Sequence, residues 1–171
     1  MNTAIPVIPP LVALGMRPLP LLPLQPILAA IIHSVVKRHP DIFDRLGEHA
    51  DKSYGLNPTD LPFAFILKPQ SGNPSVKAVR TLPECLDVRI SGPLAGLMGL
   101  LDGSYDGDAL FFSRDILIEG DMEATLALRN AVDDAQIDLV GEITARLGPL
   151  SNPAESIVRK LKDNLMSFGR A

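Results

Sequence analysis

The chain has 171 residues, 46% of them apolar, a net charge of −4, no Trp and one cysteine. That composition excludes wholesale disorder, and the length supports one ordinary domain with a core that needs no staples. The lone Cys85 excludes an intramolecular disulfide and a cysteine-held zinc or iron–sulfur site, which fits a cytosolic setting.

Charge is unevenly spread. Residues 1–40 carry Arg17, Lys37 and Arg38 and no carboxylate, whereas residues 102–142 carry eleven carboxylates against Arg114 and Arg129. From Arg146 onward the chain is basic again, with five cations against Glu155 and Asp163. An acidic middle repels nucleic acid. Apolar, cationic ends suit either an anionic membrane surface or an ordinary solvated face. With no Trp and few aromatics, any cavity must be mainly aliphatic, a good lining for acyl or isoprenoid chains and a poor one for nucleobases.

The N-terminal run is apolar but broken by proline at 6, 9, 10, 18, 20, 23 and 26. Each proline removes a backbone donor, so neither a secretory signal nor a membrane span is read there. Residues 1–25 are expected to form an extended Pro-rich arm. A helix follows over 26–38, with Ile27, Ile31 and Val35 on one stripe and Leu28, Ile32 and Val36 on another. Lys37 and Arg38 suit its C-terminal end. His33 is read as a satisfied or partly exposed side chain.

Residues 41–50 read as a short helix and 57–60 as a turn. Phe63–Leu67 reads as a strand with Phe63, Phe65 and Leu67 on one face, apolar on both sides. Val76–Arg80 and Leu86–Ile90 follow as strands, and their short loops argue for antiparallel pairing. Ser91 is expected to cap a helix with Pro93 in its first turn and Leu94, Leu97, Met98 and Leu101 as its stripe. A strand lies within 111–119. Asp121 caps a helix over 122–133. Helices over 137–147 and 153–168 complete the chain, the last carrying Ile157, Leu161, Leu165 and Phe168 on one side. That last helix either docks on the core or lies on a membrane. The order of elements is α+β with a mainly antiparallel sheet, and the chain divides into an arm (1–25), a domain (26–150) and an amphipathic C-terminal helix (151–171).

Catalytic patterns are missing. Asp102, Ser104 and Asp106 mimic the start of a calcium loop, but its twelfth position is Ser113 and a solvated loop is the better reading. No zinc-protease helix, phosphate-cradling glycine loop or nucleophile elbow occurs. No catalytic residue, metal or cofactor is therefore assigned.

The stretches Asn57–Lys68, Ile90–Leu101, Asp108–Asp121 and Leu126–Asn130 carry a resemblance to the sterol-carrier-protein-like lipid-binding domains. Within that family they are similar to accessory factors of bacterial ubiquinone synthesis. The resemblance spans roughly residues 40–140, and its most specific part runs from Phe111-Phe112 through Arg114 to Glu119-Gly120-Asp121. It implies a curved antiparallel sheet with helices enclosing an apolar tunnel. It also implies a non-catalytic role in oxygen-independent ubiquinone synthesis, beside a UbiU–UbiV-type hydroxylase that carries its own iron–sulfur clusters. The ligand expected is an isoprenoid quinone precursor or phospholipid, with a general fatty acid, phospholipid or sterol carrier as the alternative.

Such lipids stay in the bilayer because burying apolar surface gains about 25 cal/mol per Å². A protein lifts one out only by offering an apolar cavity. The lining expected is Phe63, Phe65, Leu97, Met98, Leu101, Phe112 and Leu126. Leu22, Leu24, Ile27 and Ile31, with Lys160, Leu161, Lys162 and Leu165, are expected to dock on the membrane, giving a cytoplasmic, peripherally attached protein.

Overall fold

The computed structural model describes residues 5, 7–18, 20–70, 72–101 (Leu101 by its backbone alone) and 115–135. The arm is not fully extended. Residues Pro10–Met16 form α1, with Pro10 in the first turn, where its missing N–H costs nothing. α1 buries none of its residues. α2 (Leu24–Arg38) begins two residues before Pro26 and ends on Lys37 and Arg38. The expected helix over 41–50 is a 3-10 segment, Asp44–His49, interrupted at Gly47, whose φ of 54° favours glycine.

The strands are β1 (Tyr54–Pro58), β2 (Ala64–Lys68), β3 (Ser75–Val79), β4 (Val88–Gly92) and β5 (Leu117–Gly120). They form one sheet in the order β3-β2-β1-β4-β5. β1 was not anticipated: Asn57 and Pro58 read as part of a turn over 57–60, yet they form the end of this strand. Three of the four pairings are antiparallel, and β1 pairs with β4 in parallel, Tyr54 opposite Val88 and Leu56 opposite Ile90. A parallel neighbour requires a crossover. Residues 80–87 supply it across the outer face of the sheet. A Cβ on Gly55 would lie 2.5 Å from Leu86 Cδ1 and 2.9 Å from Leu82 Cδ1, so the absent side chain makes room for the crossover. Leu86 therefore covers the outer face instead of extending the Val88/Ile90 row. Arg89, beside Gly55, donates to the Pro83 carbonyl at 3.0 Å.

The inner face carries Tyr54, Val88 and Ile90, which are almost fully buried. The helices cover this face. α3 (Leu94–Leu101) brings Leu97 and Leu100, and α4 (Met122–Asp134) brings Ala124, Leu128, Ala131 and Val132 to the same core. The α3 amino end is not capped by Ser91, which lies in β4 and accepts from Asn57 Nδ2 at 3.3 Å. Asp60 does the capping, accepting from Leu94 N at 2.8 Å through Oδ1. Its other oxygen accepts from Ile8 N at 3.0 Å and ties the arm down. Asp121 caps α4 as expected, accepting from Ala124 N at 2.9 Å.

Gly120 turns β5 into that cap with φ of 91°, and a Cβ there would lie 2.2 Å from the Asp87 carbonyl oxygen. Both the torsion and the contact exclude a side chain. Gly120→Ala is expected to lower unfolding stability by about 2 kcal/mol or more, measured by urea denaturation followed by circular dichroism.

Candidate functional site

The helices do not close completely on the sheet. A cavity of about 210 Å³ remains, walled by Leu28, Ile31, Ile32 and Val35 of α2, by Leu94, Leu97 and Met98 of α3, and by Leu128 and Val132 of α4. Its floor is the inner face of the sheet: Leu56 and Pro58 of β1, Phe65 and Leu67 of β2, and Val76 of β3. Ile42 and Phe43 complete it, so all sixteen lining residues are apolar. A dry apolar cavity of about 150 Å³ accommodates benzene, so this one takes a ring or a short branched hydrocarbon segment. Burying that segment gains about 0.8 kcal/mol per CH₂, or about 4 kcal/mol for an isoprene-sized unit.

Of the residues expected to line a cavity, Phe65, Leu97 and Met98 do so. Phe63 lies beside the site and not in its wall: its ring stands edge-on to Phe65, centroids 5.6 Å apart, and buttresses it. Leu126 is 55% exposed, because α4 turns Ala124, Thr125, Leu128, Ala131 and Val132 inward and leaves position 126 on the opposite side. Leu101 ends α3, and its side chain and all of Phe112 lie outside the described residues, as do the loop 102–108, the helices expected at 137–147 and 153–168, and Lys160, Leu161, Lys162 and Leu165.

Ile31, expected at a membrane, instead faces the cavity. Leu24 and Ile27 are half-buried, and Leu22 is 81% exposed. The contribution of α2 to the wall was missed, although its paired four-residue stripes are the signal that reveals it. Leu56 and Pro58 were missed because β1 was. Val7, Leu11 and Leu14 of the arm join Leu22 as exposed apolar residues, 56–81% accessible.

Polar contacts frame the cavity without entering it. At its outer edge the Gln25 amide pairs with the backbone of Ala78 in the edge strand β3: Nε2 donates to the carbonyl at 2.8 Å, and Oε1 accepts from the N–H at 3.3 Å. The side chain thus mimics a further strand and pins the first turn of α2. At the other end, Lys52 forms an ion pair with Asp121. Asp87 Oδ2 accepts from both N and Oγ of Ser53 at 2.7 Å. The Lys52 bond, and then the Ala124 N–H, hold the Asp121 carboxyl down at about 2 from an ordinary 3.8. The Ser53 hydroxyl and amide lower that of Asp87. Tyr54 donates to the His49 carbonyl at 2.9 Å, and burial pushes its phenol up to about 12.

Among the described residues no group of three or more His, Cys, Asp or Glu side chains could hold a metal, and no helix is long and apolar enough to cross a membrane. An apolar cavity can select and hold hydrocarbon, and among the described residues its walls carry no titratable group to move a proton or an electron pair.

A mixed sheet with helices on one face and an apolar hollow between them defines a lipid-carrier type of domain. Residues 32–133 match the model of the SCP-2 sterol transfer family, and the chain belongs to that family. No curated protein sequence matches the chain. Among solved structures it is similar to the "UbiJ-SCP2 Ubiquinone synthesis protein", with a TM-score of 0.51 and 17% identity over 75% of this chain and 94% of that one. It is also similar to sterol carrier protein 2 of Yarrowia lipolytica in its apo form (TM-score 0.44, 14% identity, 57% of this chain and 78% of that one). Sterol carrier protein domain 2 of Helicoverpa armigera is a third (TM-score 0.45, 17% identity, 64% and 84%). At these identities the likeness is one of fold.

Two outcomes are expected of the site. Met98→Trp, at a half-buried wall position, should fill part of the hollow and weaken binding of a fluorescent fatty-acid analogue about tenfold, a loss of about 1.4 kcal/mol, while Leu126→Ala leaves it unchanged. The second concerns acid. Because folding depresses the Asp121 carboxyl to about 2, its stabilisation is fully present above the ordinary value and is lost as pH falls from about 4 towards 2. Asp87 adds a loss of the same sign. Urea titrations across that range should show stability falling more steeply in the native chain than in Asp121→Asn.

Proposed function

We propose that this chain is a non-catalytic lipid-presenting factor: it seats the apolar tail segment of an isoprenoid quinone precursor in its cavity and offers the ring to a partner enzyme. The observation that carries this reading is the wholly apolar lining of a 210 Å³ cavity between α2, α3, α4 and the sheet. The cavity is smaller than the roughly 300–1,000 Å³ of a pocket that engulfs a drug-sized ligand. It replaces the bilayer contacts of only part of a long tail, so the remainder stays in lipid and the protein works at the membrane surface. The exposed Val7, Leu11, Leu14 and Leu22 supply an apolar contact for that surface.

The quinone assignment draws on two supports. One is the resemblance of the stretches around 57–68, 90–101 and 108–130 to the ubiquinone biosynthesis accessory factor UbiT. The other is the shared fold with a protein described as a ubiquinone synthesis protein. On this reading the partner is a UbiU–UbiV-type hydroxylase on the cytoplasmic side, and it performs the chemistry in the absence of oxygen.

Lipid extracted from the purified native protein and identified by mass spectrometry tests the assignment. Polyprenylated aromatic precursors are expected, enriched over their share of the membrane. Fatty acid or phospholipid in membrane proportions would replace the quinone role with that of a general carrier. Membrane contact is tested separately. Leu11→Asp and Leu14→Asp together, at exposed positions, should abolish co-sedimentation with anionic vesicles and leave the thermal midpoint within about 2 °C of the native chain.

A further inference from the structure

A second hollow, of about 530 Å³, lies between α2 and the β2–β3 hairpin. Its walls are Gln25, Ala29, His33 and Val36 on one side and residues 72–77 on the other, with Ile32 between them and the apolar cavity. Ile32 and Val76 line both hollows, so the two adjoin across this pair. We propose that this groove seats the anionic head, a carboxylate or phosphate, of a membrane fatty acid or phospholipid that takes the place of the quinone precursor in the cavity; the inference rests on the lipid-binding reading above.

Two features of the groove point to that occupant. The first is backbone geometry. In an antiparallel strand the N–H and C=O of one residue point to the same side, and alternate residues share that side. Ala78 turns its pair away from β2, since Gln25 takes both groups. Val76, two residues earlier on the same strand, turns its own N–H and C=O the same way, into the groove and beside the opening to the cavity. An N–H turned outward from an edge strand is placed to take an acceptor from a further group. Gln25 supplies the acceptor at Ala78, and an anionic oxygen would supply it at Val76.

The second is charge. The described segments that line the groove, 25–36 and 72–77, contain Lys77 and not one carboxylate, in a chain whose net charge is −4. Lys77 and His33 are exposed and line the groove, and its other polar groups, Gln25, Asn73 and Ser75, are neutral. A carboxylate or phosphate there meets hydrogen-bond donors and the Lys77 ammonium, with no carboxylate among the described lining residues. Charge-assisted hydrogen bonds of this kind are roughly twice as strong as neutral ones.

Calorimetric titration of the full-length native protein with hexadecanoate, hexadecyl phosphate and hexadecanol tests this. The chains are alike, and only the heads differ. At least one anionic amphiphile should bind about tenfold more tightly than the alcohol, and Lys77→Gln combined with His33→Gln should remove most of that preference without altering the affinity for the alcohol. The acid and the phosphate together show which anion the groove prefers, and inorganic phosphate as competitor shows whether the head binds without its tail. Equal binding of all three amphiphiles, unchanged in the double variant, would overturn the head-group site and leave the cavity reading standing. If none of the three binds, the cavity reading falls and this inference with it.

Discussion

The pairing of the Gln25 side chain with the backbone of Ala78 fixes where α2 can lie. A helix whose first turn is bonded to the outermost strand cannot slide inward to sit over the middle of the sheet. The inner face of β1 and β2 must then be covered by side chains reaching from α2, α3 and α4, and those side chains are aliphatic and of moderate length. Trp, which spans such a gap best, is absent from the sequence. Close packing normally leaves few voids larger than a water molecule. Here the hollow persists because the helix is held at the rim and, among the described residues, no side chain is long enough to fill the centre.

The opposite end of the sheet is held by charge instead. Lys52, Asp121, Asp87 and Ser53 join the strand that enters the sheet, the strand that leaves it and the cap of α4. Asp121 N also donates to the Asp87 carbonyl at 3.0 Å, so the close approach at Gly120 and the ion pair stabilise one junction. The apolar cavity therefore lies between two polar fastenings, neither of which places a polar group in its lining.

Much of this was legible in the sequence where one residue pattern has one meaning. The stripes of α2, the alternation of Val88 and Ile90, a strand expected at Phe63–Leu67 and found one residue on at Ala64–Lys68, and the Asp121 cap all follow from periodicity and local chemistry. β1 was hidden because Gly55, Asn57 and Pro58 are turn formers by local preference. Their presence in a central strand is explained only by the crossover that rests on Gly55, a long-range fact. The parallel pairing of β1 with β4 was hidden for the same reason, since short connections suggest hairpins. The cavity itself was legible as a preference for aliphatic lining but not as a set of residues. Ile31 and Leu126 were exchanged between surface and interior because a stripe shows that a helix has a buried side without showing what buries it. Ser91 looked like the natural cap of α3, and a carboxylate more than thirty residues earlier took that place.

Asp60 carries a consequence for how the molecule behaves as a mechanical object. It is 7% exposed, and its two oxygens are divided between the arm at Ile8 and the first turn of α3 at Leu94. Withdrawing the arm would strand one oxygen of a buried carboxylate, a penalty of about 1–3 kcal/mol unless water or the helix moved to answer it. Leu94 belongs to the lining of the hollow. Tension applied to the greasy segment around Leu11 is thus conveyed in part through that carboxylate to one wall of the compartment, coupling attachment outside to the shape of the space within.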